Sequence, residues 1–319
     1  MPGFRYNNVG FIGVGAMGSP MVIHLTEKLP VDCKVHVFDV FEKAVDEVCA
    51  QYPERILKAK NARDVAEKSD IIFSIVPEGS HVRQVYLDQE TGVCSIDISS
   101  KLLIDCSTID TATNLEVRAH ILTHFPTAFF YDAPVSGGVL GAKKASIAFY
   151  LGCASDDPNL PRLTDLMSKM GKQIIPCGGP SLGLAAKLSN NYLSGLIAIA
   201  CSEALDMGMR AGLDPRVLSK VYAAGTAQNT ICDRFNPCPG VFPEAPSTNG
   251  YKEGFKIQLM KKDMGLAVDM AKRVGTTLVL GDAGLKTYSD ASDDPNCRDL
   301  DSRVVYRFLG GNENWQGQY

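Results

Sequence analysis

The sequence predicts an α/β protein in two parts: a doubly wound parallel sheet in residues 1–180 and an all-helical domain in residues 181–319. Three observations support this prediction. An apolar strand near the N-terminus leads into a glycine-rich turn and a helix. Apolar strands then alternate with helical segments, and the alternation stops near residue 178. Strands that alternate with helices form parallel sheets with helices on both faces.

Composition excludes several classes of protein. The chain has 319 residues, of which 45% are hydrophobic and 21% charged, and a net charge of −4. These are ordinary values for a globular protein, and the acidic balance predicts neither a nucleic-acid nor a membrane partner. No apolar run reaches the roughly 18 residues that a membrane-spanning helix needs.

The cysteines and the N-terminus indicate the cellular compartment in which the protein is expected. The ten cysteines are scattered without a C-x-x-C pair, which predicts free thiols in a reducing compartment and no metal site. The N-terminus shows neither a secretory signal nor an Arg- and Ser-rich transit peptide. We therefore expect a cytoplasmic protein, or a mitochondrial matrix protein if a transit peptide has been removed.

The first predicted strand, residues 9–12, is followed by the pattern G-x-G-x-x-G and a helix at 20–29. The first glycine of the pattern allows a tight turn, the second lets backbone approach a pyrophosphate, and the third lets the helix pack close to the strand. The helix N-terminus then attracts phosphate. The pattern predicts a dinucleotide site. Its residues are Gly13, Gly15, Ala16, Met17 and Gly18.

Asp39 ends the second predicted strand, residues 34–39. An acid about 20 residues beyond the glycines accepts hydrogen bonds from the adenine-ribose hydroxyls. A 2′-phosphate there would meet a like charge, and no arginine adjoins Asp39 to compensate. This position predicts NAD as cofactor in preference to NADP. The alternative is that Asp39 caps the following helix.

Further strands continue the pattern. They are predicted at 70–76, 102–106, 128–132, 146–151 and 173–176, with helices at 62–68, 80–88, 112–123 and 158–170. Ligands of such sheets bind beyond the carboxyl ends of the strands. Val76, Pro77 and Thr108 follow strand ends and are therefore predicted cofactor contacts.

Ser136, Gly137 and Gly138 follow a strand in the stretch DAPVSGG, residues 132–138. A hydroxyl and two unhindered backbone N–H groups together suit a carboxylate. A plain glycine turn is the alternative.

The second half begins with a long apolar helix at 183–212, for which we expect burial on most sides. Lys187, Asn190 and Asn191 project from one side of it. Burial lowers the pKa of a lysine, so that Lys187 could accept a proton near neutral pH. The alternative is a lysine that reaches solvent from a helix edge. Helices are also predicted from Asp214 and at 255–274, 282–290 and 299–309, with a loop at 236–254.

Four motifs in one order resemble the β-hydroxyacid dehydrogenase family. They are VGFIGVGAMG at 9–18, DAPVSGG at 132–138, G-x-x-x-K-x-x-N-N at 183–191 and KDMGLA at 262–267. The loop at 236–255 is similar to that of members that act on 3-hydroxyisobutyrate. The chain departs from the family pattern at His81, Lys143 and Lys144.

The resemblance implies a Rossmann-type domain, NAD as cofactor, and oxidation of 3-hydroxyisobutyrate to methylmalonate semialdehyde, a step of valine catabolism. It implies that Lys187 is the catalytic base, that Asn191 holds the substrate, and that Ser136, Gly137 and Gly138 bind its carboxylate. The glycine turn, Asp39, Val76, Pro77 and Thr108 match cofactor contacts. Lys262 matches a lysine close to the nicotinamide, although it could also be a surface residue beside Lys261.

Two other functions stay open. One is reduction of another small semialdehyde, such as tartronate or succinic semialdehyde. The other is a scaffold that binds NAD without turnover. The apolar helices of the second half also predict a homodimer or homotetramer, because large apolar faces would otherwise be exposed.

Overall fold

A computed structural model describes residues 6, 8–252 and 254–318. The chain forms two compact units, Met1–Lys187 and Leu188–Tyr319. The division lies inside the long helix, after Lys187, whereas the sequence places it at residue 180. Within the described part of the chain, no helix combines the length and the apolar character that crossing a bilayer requires.

A six-stranded parallel sheet forms the centre of the first unit, with the strand order β3-β2-β1-β4-β5-β6. The strands are β1 (Asn8–Ile12), β2 (Lys34–Phe38), β3 (Ile56–Lys58), β4 (Ile71–Ser74), β5 (Leu102–Asp105) and β6 (Phe129–Asp132). The strand order reverses between β1 and β4, and a ligand crevice opens at such a point beyond the carboxyl ends. This topology confirms the predicted doubly wound, Rossmann-type fold.

Helices cover both faces of this sheet. They are α1 (Gly18–Lys28), α2 (Glu42–Cys49), α3 (Ala62–Lys68), α4 (Gly79–Leu87) and α5 (Thr111–His124). Strand residues pack alternately into two hydrophobic clusters: Phe11 belongs to one, and Ile72 and Leu103 belong to the other. Helix α2 and strand β3 are not among the predicted elements, because α2 buries only two side chains and β3 has only three residues.

A second, three-stranded sheet follows in the same unit. It consists of β7 (Val135–Ser136), β8 (Ile147–Leu151) and β9 (Gly171–Pro176), with α6 (Gly138–Lys143) and α7 (Leu160–Ser168). β7 pairs antiparallel with β8, and β8 pairs parallel with β9. The two later strands agree with the prediction, whereas β7 is too short to show a pattern.

The second unit is helical. The long helix α8 (Leu182–Arg210) starts in the first unit and continues here, and α9 (Pro215–Ala224), α10 (Thr230–Asp233), α11 (Ile257–Val274), α12 (Gly281–Asp293) and α13 (Val305–Phe308) follow. The predicted helix at 299–309 is wrong in extent. The Asp301 carboxylate accepts the N–H groups of Phe255 and Arg303 and starts a 3₁₀ turn at Ser302–Val304 instead.

Helix α8 leaves one stripe of its surface exposed, and most of its other residues are buried or half-buried. Leu193 and Met207 are exposed to 59% and 70%, and Ser189, Asn190 and Glu203 are also exposed. Apolar composition showed that this helix could be buried all round, but it could not show which side the chain itself covers.

Candidate active site

The glycine turn between β1 and α1 has the shape that a pyrophosphate needs. Gly13 has φ +93°, and a Cβ there would overlap the Ile75 carbonyl oxygen. A Cβ on Gly18 would overlap the carbonyl oxygen of Gly13. Gly15 differs: it is exposed, and no atom lies within 4 Å of the position that its Cβ would occupy. Open space above Gly15, beside exposed Ala16 and half-buried Met17, therefore fits a dinucleotide.

Asp39 fixes this turn from the end of β2. Its Oδ2 accepts the Val14 N–H at 2.8 Å and its Oδ1 accepts the Phe41 N–H at 2.9 Å. The N-cap residue of α2 is Phe41, and it caps without a side-chain hydrogen bond. Asp39 is therefore not the helix cap that the alternative interpretation required. Its carboxylate lies half-buried beside the glycine turn, where an adenosine ribose would bind in this fold.

Val76, Pro77 and Thr108 lie just beyond β4 and β5, on the side of the switch point opposite Asp39. The Val76 N–H donates to Ser107 Oγ at 2.9 Å, and Ser107 Oγ donates to Asp105 Oδ1 at 2.6 Å. Hydrogen bonds thus join the two loops that carry these predicted contacts.

Asp105 is the buried centre of that network. Ser74 Oγ donates to Asp105 Oδ1 at 2.8 Å and lies 2.9 Å from the Tyr86 hydroxyl. Burial raises the pKa of the Asp105 carboxyl. Asp105 is not among the predicted site residues, and its place at the very end of an apolar strand is the sequence signal that could identify it.

The stretch Ser136–Gly138 turns sharply into α6. Ser136 is half-buried in β7, whereas Gly137 and Gly138 are exposed. The two glycines have φ +124° and +62°, which side chains rarely tolerate. The exposed backbone of this turn is compatible with the predicted carboxylate site.

Lys187 lies in the second turn of α8 and is only 7% exposed. The start of this helix is bound to β6: Asp132 Oδ1 accepts the Ser181 N–H at 2.7 Å, and Asp132 Oδ2 accepts the Leu184 N–H at 2.8 Å. A Cβ on Gly183 would overlap the Tyr150 carbonyl oxygen, so the helix approaches the second sheet closely here. The backbone that carries Lys187 is therefore tightly fixed within the first unit.

In the second unit, Asn191 and Asp263 form a buried pair. Asn191 Nδ2 donates to Asp263 Oδ2 at 2.6 Å, and Asp263 Oδ1 lies 3.4 Å from Lys262 Nζ. Asp263 therefore joins the two predicted site residues of this unit. From the sequence alone, Asp263 could pair with a lysine or simply face water. Asn190 is exposed, whereas Asn191 is buried.

The predicted site residues divide between the two units. The first unit contains the glycine turn, Asp39, Val76, Pro77, Thr108, Ser136, Gly137, Gly138 and Lys187, and the second contains Asn191 and Lys262. Among the residues that the structure describes, no group of three or more His, Cys, Asp or Glu side chains could hold a metal ion. The ten cysteines all carry free thiols.

Two family models, one for each half, together match nearly the whole chain. Residues 8–179 match the NAD binding domain of 6-phosphogluconate dehydrogenase. Residues 182–309 match a domain described as NAD-binding of NADP-dependent 3-hydroxyisobutyrate dehydrogenase.

Individual proteins are similar over most of their length. The probable mitochondrial 3-hydroxyisobutyrate dehydrogenase of Dictyostelium discoideum is 36% identical over 95% of this chain and 91% of that protein. The NAD-dependent L-serine dehydrogenase of Pseudomonas aeruginosa is 33% identical over 88% and 90%. The structure of Mycobacterium tuberculosis 3-hydroxyisobutyrate dehydrogenase with L-serine matches with a TM-score of 0.86 at 31% identity, covering 96% of this chain and 99% of that one. The chain therefore belongs to the 3-hydroxyisobutyrate dehydrogenase family of NAD-dependent hydroxyacid dehydrogenases.

Proposed function

We propose that this enzyme oxidises 3-hydroxyisobutyrate to methylmalonate semialdehyde with NAD, as a step of valine catabolism. The observation that carries the proposal is the buried Lys187 on a helix fixed to the unit that also holds the glycine turn and Ser136–Gly138. L-serine is the second candidate substrate, since one relative is named for it and one similar structure is described with it.

In the proposed mechanism, Ser136 Oγ and the N–H groups of Gly137 and Gly138 bind the substrate carboxylate. Bound at the glycine turn, NAD would supply the hydride acceptor for the carbinol carbon. Lys187 takes the proton of the substrate hydroxyl, and it returns that proton in the reverse reaction.

The remaining residues orient the reactants. Asn191 holds the substrate hydroxyl through its amide, whose own orientation is fixed by the hydrogen bond to Asp263. Lys262 lies at the nicotinamide end of the cofactor in this proposal, and Asp263 pairs with its charge. Asp39 binds the adenine-ribose hydroxyls.

The first experiment follows NADH formation with 3-hydroxyisobutyrate, L-serine, 3-hydroxypropionate and glycerate. Reduction of tartronate and succinic semialdehyde is measured in parallel. A preference for 3-hydroxyisobutyrate supports the proposal, whereas a preference for L-serine or a semialdehyde changes the substrate but keeps the mechanism. Tight NAD binding without turnover of any of them would favour the non-catalytic scaffold.

Asp39→Asn tests cofactor choice. The amide keeps the shape of the side chain but removes the charge that a 2′-phosphate would meet. We expect the preference for NAD over NADP to fall by about tenfold or more, which corresponds to about 1.4 kcal/mol. Binding titrations with both cofactors measure it, and Asp46→Asn on α2 is the control. An unchanged preference would mean that Asp39 only holds the turn.

Exchanging the amide and the carboxylate between positions 191 and 263 tests the proposed role of Asn191 in orienting the substrate. Asn191→Asp places two carboxylates together in a buried site, and we expect a loss of about 3 kcal/mol in the free energy of unfolding. The double variant Asn191→Asp/Asp263→Asn restores a carboxylate–amide pair and should recover most of that stability. Turnover should stay low in both variants, because position 191 no longer offers an amide donor to the substrate. Full turnover in the double variant would contradict the role of Asn191.

We also propose a homodimer or homotetramer. Several exposed apolar side chains of the second unit lie on α8 and α9, among them Leu193, Met207 and Val221. A second copy covering them would remove this apolar surface from water. Sedimentation of the protein as a strict monomer would contradict the proposal.

A further inference from the structure

Asp132 stands at the junction of two predicted parts of the active site. It is the last residue of β6 and the first of the stretch that ends in Ser136–Gly138. Asp132 is only 1% exposed. Its carboxylate accepts the backbone N–H groups of Ser181 and Leu184, at the start of the helix that carries Lys187.

The two hydrogen bonds satisfy donors that the helix itself leaves unpaired. The first N–H groups of any helix lack intrahelical acceptors. In α8, Leu182 N–H donates to the Gly179 carbonyl oxygen at 3.1 Å, and Asp132 accepts the N–H groups of Ser181 and Leu184. A negative charge at a helix N-terminus is also favoured by the helix dipole.

The Asp132 carboxylate packs closely against two glycines. A Cβ on Gly152 would overlap Asp132 Oδ1, and a Cβ on Gly183 would lie 2.8 Å from Asp132 Oδ2. Ser181 adopts φ +65°, a conformation that costs free energy for a residue other than glycine. Backbone strain and two close glycine contacts thus coincide at one carboxylate.

We propose that Asp132 is a positioning residue, whose carboxylate holds the start of α8 and thereby places Lys187 for proton transfer. This inference rests on the proposed role of Lys187 as the base. Nothing in the mechanism requires Asp132 to touch substrate or cofactor.

Protonation should weaken this anchor. A protonated oxygen becomes a donor and can no longer accept the N–H group that it faces. Burial raises the pKa of Asp132 to about 6, and the hydrogen bonds from Leu184 and Ser181 oppose that rise. The titratable groups that face it are Asp105, from the neighbouring strand β5, and the Cys177 thiol after β9.

Amide hydrogen exchange tests the anchor without any variant and without activity. In the wild-type enzyme, protection of the Ser181 and Leu184 amides, corrected for intrinsic exchange rates, should fall as the pH is lowered through about 6. A raised pKa means that protonation of Asp132 favours the folded state, so this group does not promote global unfolding as the pH falls. Loss of protection should therefore be local, and unchanged protection at these two amides would overturn the proposal.

Asp132→Asn tests the consequence for catalysis. The amide keeps one acceptor oxygen but turns an NH₂ group towards the other backbone N–H. We expect kcat to fall by about 10- to 100-fold, since a misplacement of about 1 Å can cost about 10² in rate, while NAD binding stays unchanged. The dependence of kcat on a group of pKa about 6 should also disappear, which a merely structural role would not cause.

Asp214→Asn is the matched control, because Asp214 accepts the Arg216 N–H at the start of α9 and should leave kcat unchanged. Equal kcat in Asp132→Asn and wild type overturns the inference. An inactive wild-type enzyme, or an active Lys187→Ala variant, would instead refute the proposed function, while the exchange experiment would still report on the anchor.

Discussion

Lys187→Ala should lower kcat by about 10²- to 10⁴-fold, the usual contribution of a positioned acid or base. Lys187 lies in the second turn of a helix whose start is held by two hydrogen bonds to Asp132. Removal of its side chain beyond Cβ should therefore leave the backbone in place. NAD binding should persist, since the glycine turn and Asp39 lie on other elements.

The decisive measurement compares kcat with the dissociation constant of NAD in the same preparation. Lys220→Ala, on the exposed side of α9, is the control and should change neither. Lys187→Met adds a second comparison, because it keeps most of the apolar stem without the amine. Parallel losses of NAD binding and turnover in both variants of Lys187 would identify a structural lysine and remove the base from the mechanism.

The fold could be predicted because its signals are local. Each long apolar strand and the glycine pattern occupy one short stretch, so their residues alone indicate the crevice at the carboxyl ends of β1, β2, β4 and β5. Short elements such as β3 and β7 lack a measurable period, and only their pairing with neighbours reveals them. The extent of α13 depended on Asp301, which binds backbone at residue 255, far away in the chain.

The supporting residues of the site could not be predicted for a related reason. Asp132 acts on residues 181 and 184, and Asp263 acts on Asn191. Each of these contacts joins segments that are distant in sequence, and the residue type of a single carboxylate does not indicate which backbone or amide it meets. Motifs identify the residues that would touch substrate and cofactor, whereas folding decides what holds them.

Gly15→Val should abolish most NAD binding without unfolding the protein. No atom lies within 4 Å of the position of a Cβ at Gly15, so the side chain enters open space and the free energy of unfolding should change by no more than about 0.5 kcal/mol. The same space is where the backbone must approach a pyrophosphate. We expect the dissociation constant of NAD to rise by about 100-fold, or about 2.8 kcal/mol.

Two further variants make this result specific. Gly13→Ala puts a Cβ into the Ile75 carbonyl oxygen at a residue with φ +93°, so it should lower both stability and NAD binding. Ala227→Val adds apolar surface at an exposed position outside the turn and should change neither. If Gly15→Val alone loses NAD binding while it keeps its stability, the open space at Gly15 is a cofactor site. A turn that is only tight would lose stability together with binding. If Gly15→Val stays folded and binds NAD as wild type does, the pyrophosphate does not lie at this turn.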